Sequence, residues 1–141
     1  MSQLTLTQAR KLIDGALAAS RAQGFKAMGV VVVDAAAQVV ASAREDGATA
    51  LRLDIALGKA AAAVGMGVNS RTLTQRAKDL PAFFNAVAVA SQQKFIPQTG
   101  AVLITDDAGA VIGAAGASGG SGDEDEQIVI AGIAAAGLRH A

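Results

Sequence analysis

The chain has no cysteine, tryptophan or tyrosine, and only two prolines and one histidine among its 141 residues. Without cysteine there is no disulfide framework, thiolate nucleophile or Cys-ligated zinc, and the redox compartment stays open. Four phenylalanines are the whole aromatic complement, so the stacking platforms that hold single-stranded nucleic acid are missing. An excess of one charge is missing too. Twelve basic and twelve acidic residues cancel, so no overall field recruits nucleic acid or an anionic membrane, and neither is expected as a partner. Every apolar stretch is interrupted by Gly, Lys, Asp or Asn well short of the roughly 18 residues of a membrane span. The opening MSQLTLTQAR lacks a charged segment followed by an apolar one, so no signal peptide is expected and the expected location is cytoplasmic.

What is present is small and apolar. The apolar fraction is 52%, much of it alanine, which favours close packing of helices on a sheet. The length suits a single domain over residues 1–141 with a core that needs no staples. A near-neutral chain this rich in apolar residues often hides part of its surface in subunit contacts, so a homo-oligomer is expected.

Periodicity divides the chain into helices and strands. Thr5 or Thr7 caps a helix running to about Gln23 and stopped by Gly24, with Leu12, Ile13 and Ala16 on its apolar face. Met28–Asp34 is a continuous run of mostly β-branched residues, expected to be buried on both faces, and Gln38–Arg44 pairs with it as a hairpin strand nearer an edge. Its turn, Ala35-Ala36-Ala37, is atypical. Thr49 is a plausible cap for a helix from about Ala50 to Val64. A shorter helical segment, TLTQRAKDL, ends before Pro81. Phe83–Gln93 reads as a short helix or irregular apolar cover, and Phe95-Ile96 as a short edge strand before Pro97. Ala101–Thr105 and Ala110–Ala117 form a second hairpin around Asp106-Asp107-Ala108-Gly109. A last helix is expected from about Asp123 to Arg139. The sum is α+β: a mainly antiparallel sheet of about five strands with flanking helices.

Chemistry concentrates between Val111 and Gln127. Gly116, Ser118, Gly119 and Gly120 form a bend that another backbone or a ligand can approach closely. Asp123, Glu124, Asp125 and Glu126 then suit the positive end of a helix. Arg44 and Asp46, two apart at a strand exit, can point to one side, where an Arg fixes a carboxylate bidentately. Lys59 lies amid alanines, where burial demands a charge partner. Three arrangements follow. In the first, Arg44, Asp46, Lys59 and Asp125 form an ion-pair network that pins the bend to the helix and a subunit interface. Alternatively the bend and helix start hold an anionic ligand, offset by Arg44, Lys59 or Arg71, which extends to an enzyme acting on a small organic acid with Arg44 as anchor and Asp46 or Lys59 in acid–base roles. A divalent metal at Asp123, Asp125 and Glu126 is the third, although the spacing lacks a loop motif.

Three blocks in order, GVVVVDAAAQVVASAREDGA at Gly29–Ala48, LGKAAAA at Leu57–Ala63 and GAVIGAAGASGGSGDEDEQIVIAGI at Gly109–Ile133, resemble the GlcG/HbpS family of haem-binding or haem-degrading proteins, a group also similar to the C-terminal domain of PduO-type proteins. The family's pattern includes VVD-x-x-G, R-x-D-G-A, K-A-x-T-A and SGG-x-x-x-QDE, and Asp125 and Glu126 match the D and E of the last. Here Ala35-Ala36-Ala37 replaces the turn that carries the glycine, Ala62 stands for the threonine, and Thr99–Leu103 replaces G-G-V-P-I. The resemblance implies a profilin-like sheet, homo-oligomers, and haem or a related cofactor-sized ligand, with Gly116, Ser118, Gly119, Gly120, Asp125 and Glu126 as candidate contacts. His140, next to the last residue, reads as a solvated residue, and Met28 and Met66 as packing. Any haem would then be weakly ligated or exposed.

Overall fold

The structure, a computed structural model, describes residues 3–141. Helix α1 (Leu6–Gln23) starts at a capping box, in which the Thr5 hydroxyl accepts from the Gln8 N–H at 3.1 Å and the Gln8 amide oxygen accepts from the Thr5 N–H at 3.0 Å. Strands β1 (Gly29–Asp34) and β2 (Val39–Arg44) follow, then α2 (Arg52–Met66), α3 (Ser70–Asp79) and α4 (Pro81–Ala90). Strands β3 (Ala101–Thr105) and β4 (Val111–Ser118), helix α5 (Gly122–Ala135) and the two-residue β5 (Arg139–His140) complete the order. All pairings are antiparallel, in the order β2-β1-β4-β3-β5.

Alternation along the strands makes two cores. Val30, Val32, Val102, Ile104, Ala115 and Ala117 face α1 and α5, while Val31, Val33, Leu103 and Ala114 face the alanines of α2. The sheet is therefore the middle of three layers, and β1 and β3 are buried on both faces, which is why they read as unbroken apolar runs. A third cluster, Leu73, Phe84 and Phe95 around Ala62, lies on the outer side of α2.

Three expected boundaries are corrected. Phe95-Ile96 is not a strand: Phe95 stacks on Phe84 at 5.8 Å and the Ile96 N–H donates to the Gly58 carbonyl at 3.1 Å, so packing takes the place of a ladder. The last helix ends at Ala135 instead of Arg139, because Gly137 turns left-handed (φ 71°) and releases Arg139–His140 to pair with β3. Thr49 caps nothing with its side chain. Leu51 occupies the cap position of α2, and the Thr49 carbonyl accepts from the Arg52 N–H.

The two hairpins are copies in their turns. In Asp34–Gln38 and Asp106–Ala110 the first residue's N–H donates to the fifth residue's carbonyl at 2.9 Å, and the fourth N–H returns to the first carbonyl at 3.0 Å. The leading carboxylate accepts from two N–H groups in each, those of Ala36 and Gln38 in one and of Ala108 and Ala110 in the other. The fourth residue is left-handed in both, Gly109 at φ 86° and Ala37 at φ 62°. Each register also slips by one residue just after the turn, leaving Val40 and Ile112 as the extra residues. Both turns lie at the same end of the sheet, since Asp34 pairs with Gly113.

Candidate functional site

The bend at the end of β4 is approached by the chain itself. A methyl group at Gly116 would lie 2.5 Å from the Ala56 carbonyl oxygen of α2, and one at Gly119 would collide with the Ala27 carbonyl. Ser118 is buried and its hydroxyl accepts from the Arg52 guanidinium at 3.1 Å. The expected close approach is therefore real, and at Gly116 and Gly119 it is made by α2 and the strand lead-in.

Lys59 binds this packing together. Its side chain is 6% exposed and that of Asp125 2%, and Lys59 Nζ lies 3.0 Å from Asp125 Oδ2 and 3.0 Å from the Ala117 carbonyl. Asp125 Oδ1 accepts from the Gly120 N–H at 3.0 Å. One carboxylate thus joins α2, β4, the bend and the first turn of α5. Burial pushes the Asp125 carboxyl above its ordinary value, opposed by the Lys59 ammonium and the Gly120 N–H. Ser121 begins α5 with a second capping box, reciprocated by Glu124. The remaining acids are answered from α3: Arg71 pairs with Asp123 and, at 3.0 Å, with Glu126. Hydrogen bonds to Glu126 and then Asp123 raise the Arg71 pKa further. Among the described residues no cluster of His, Cys, Asp or Glu is arranged to hold a metal ion.

Arg44 and Asp46 are not brought to this pair. Both are exposed, and Arg44 donates to the Ala48 carbonyl at 2.8 Å, bracing its own loop. The ion pair in that loop belongs to Glu45, whose carboxylate lies 3.0 Å from Arg21 and also accepts from the Met28 N–H. Arg44, Asp46 and Lys59 accordingly share no common opening.

Open space lies elsewhere, beyond what spacing in the sequence signalled. One groove of about 450 Å³ runs between the two hairpin turns, lined by Leu4, Asp34, Val40, Asp106, Val111 and Ile112 among others. A second, of about 420 Å³, separates α1 from β2 and is lined by Leu6, Arg10, Ile13, Asp14, Val40 and Ala43 among others. Val40 lines both. The volumes fall in the range of small-ligand pockets. Arg10 has no ion-pair partner within 4 Å among the described residues, although Asp14 shares its groove.

A five-stranded antiparallel sheet between helix layers, locked by a buried Lys–Asp pair behind a glycine bend, defines a profilin-like α+β domain. The chain matches the family described as haem degrading protein HbpS-like over residues 4–134, and it belongs to that family. A double mutant of HbpS from Streptomyces reticuli is 30% identical with a TM-score of 0.82, the alignment covering 95% of this chain and 87% of that one. The PduOC:haem complex is 24% identical with a TM-score of 0.85 over 98% of each chain. Klebsiella pneumoniae protein ORFY is 22% identical with a TM-score of 0.86, covering 97% of this chain and 93% of that one. The last two show the shared fold. No curated protein sequence matches the chain.

The family implies haem, and the grooves meet part of its needs. Apolar side chains suit the macrocycle and Arg10 suits a carboxylate, but among the described residues no histidine or methionine lines either groove. Met28 is fully buried, and His140 is exposed on β5 outside both grooves. Met1 lies outside the described residues.

Proposed function

We propose that this protein binds haem or a related cofactor-sized ligand. The observation that supports this most is the family match over residues 4–134, joined by two grooves of ligand size, one mainly apolar and one with mixed polar and apolar walls. Bound haem would supply an iron and an absorbing macrocycle, and breakdown of haem, the activity in the family's description, is the chemistry such binding would serve. In this reading the chain's own residues hold and orient the ligand. Leu4, Val40 and Ile112 exclude water from its faces, and Arg10 takes a carboxylate. Lys59, Asp125, Glu126 and the bend at Gly116, Ser118, Gly119 and Gly120 frame the sheet behind it. Arg44 and Asp46 contribute a surface loop. Haemin added to the protein at micromolar concentration should give a saturable Soret shift with one ligand per chain. A spectrum identical to free haemin would refute the proposal.

Assembly into a homo-oligomer belongs to the same reading, supported by α4. This helix contains no charged residue and buries only Phe84, while Leu80 (57%), Phe83 (53%) and Val89 (68%) stay exposed. A helix apolar on both sides is usually covered on both sides. Sedimentation of wild type against Phe83→Glu/Val89→Glu should show the variant in a smaller species with unchanged helix content. Identical sedimentation would remove α4 from any interface.

A further inference from the structure

The grooves carry a prediction about ligand selectivity that rests on the haem-related reading and goes beyond it. They converge on Val40, the extra residue of the first hairpin, and Ile112, the extra residue of the second, lines the hairpin-end groove as well. Bulges re-aim side chains; Val40 is half-buried and borders both grooves, while Ile112 packs mainly into the core and forms the floor of the hairpin-end groove. The polar groups are placed asymmetrically. At the hairpin end Asp34 and Asp106 face the groove, each with one carboxylate oxygen already accepting from two N–H groups. At the α1 end Arg10 is the cation, with Asp14 lining the same groove. A ligand carboxylate is repelled from the first end and drawn to the second, where a guanidinium grips carboxylates bidentately. Iron finds no such partner. Haem proteins fix the metal with His, Cys, Met or Tyr, and the described residues lining both grooves include none of these.

We infer that the paired grooves meeting at Val40 are a site for a planar, carboxylate-bearing tetrapyrrole, recognised through its apolar faces and by Arg10, while the described residues lining the grooves offer its metal centre no histidine, cysteine, methionine or tyrosine ligand. The consequence is indifference to iron. Haemin and metal-free protoporphyrin should bind with dissociation constants within about threefold of each other, because the difference left to metal ligation is small.

The test is a pair of titrations, Soret absorbance for haemin and fluorescence for protoporphyrin, on wild type, Arg10→Glu, Ala110→Trp and His140→Ala. Arg10 and Ala110 are exposed residues lining one groove each, so both variants should keep the wild-type circular dichroism. Arg10→Glu should weaken both ligands by a similar factor, on the order of fivefold or more. Ala110→Trp, which fills the hairpin-end groove, should weaken both as well, and His140→Ala should change neither. Haemin binding more than about tenfold tighter than protoporphyrin, or low-spin haem bands lost in His140→Ala, would overturn the inference while leaving haem binding intact. Equal binding that neither Arg10→Glu nor Ala110→Trp disturbs would overturn the site assignment. Failure of wild type to bind either ligand would instead refute the haem-related function itself.

Discussion

Lys59 and Asp125 show why a charge can sit in a chain dominated by small apolar residues. Each is almost fully enclosed, and each answers backbone groups as well as its partner. Removing one leaves an unpaired buried charge, so Lys59→Ala or Asp125→Ala should each cost about 3 to 5 kcal/mol in urea unfolding, whereas Lys59→Met/Asp125→Leu should cost much less. Additive single losses in the double variant would contradict the pairing. The pair also sets a pH dependence. Because burial raises the Asp125 carboxyl, the folded state binds that proton more tightly than the unfolded chain. The stability from this group is full below the ordinary carboxylate range and declines as pH rises through the folded value. Between about pH 3.5 and pH 6, wild type should therefore lose stability relative to Asp125→Asn as pH rises; a constant difference would contradict the raised value. At Ala37 the residue scale works in the opposite direction. Its φ of 62° suits glycine, the residue of the VVD-x-x-G pattern, and Ala37→Gly should raise stability by about 1 kcal/mol in the same assay.

At the scale of elements, the contact between β4 and α2 depends on a missing side chain. With the Ala56 carbonyl 2.5 Å from where a Cβ would stand, Gly116→Ala must push α2 from the sheet, and overpacking of this kind costs about 1 to 3 kcal/mol. Thermal unfolding should show a clear loss, and an unchanged midpoint would mean that α2 yields freely. The bridge from Arg71 to α5 is a weaker link. It is solvent-exposed, so Arg71→Ala should cost at most about 1 kcal/mol, less as salt rises. Much of this layer was legible in the sequence. The hairpins followed from β-branched runs and an Asp-led turn, α1 from its Thr cap, and the need of Lys59 for a partner from its alanine surroundings. Arg139–His140 was not legible, since AGIAAAG continues helical propensity up to the glycine and two residues carry no strand period. Phe95-Ile96 misled for the reverse reason: its β-forming residues are used for packing against Phe84 and Gly58.

For the whole molecule, the division of labour differs from what local spacing suggests. Glycines and acids cluster at the bend, yet there the chain satisfies itself, and the open volumes lie where α1 passes β2 and where two turns far apart in sequence come side by side. Such grooves are products of tertiary arrangement and have no local signature. The likeness of the two turns shows only in their hydrogen bonds and left-handed fourth residues, since Ala35-Ala36-Ala37 reads as atypical in the sequence. Membership of the HbpS-like family supports the proposal that those grooves take a haem-like ligand, and the buried Lys59–Asp125 pair ties α2 and α5 to the sheet that bears them. The most direct measurement is an anomalous-scattering map at the iron edge from crystals grown with haemin. A single iron peak beside Val40, between the hairpin turns and Arg10, is the expected result. An iron peak against Gly116–Glu126, with the Lys59–Asp125 pair opened to admit it, would contradict the separation of frame from site.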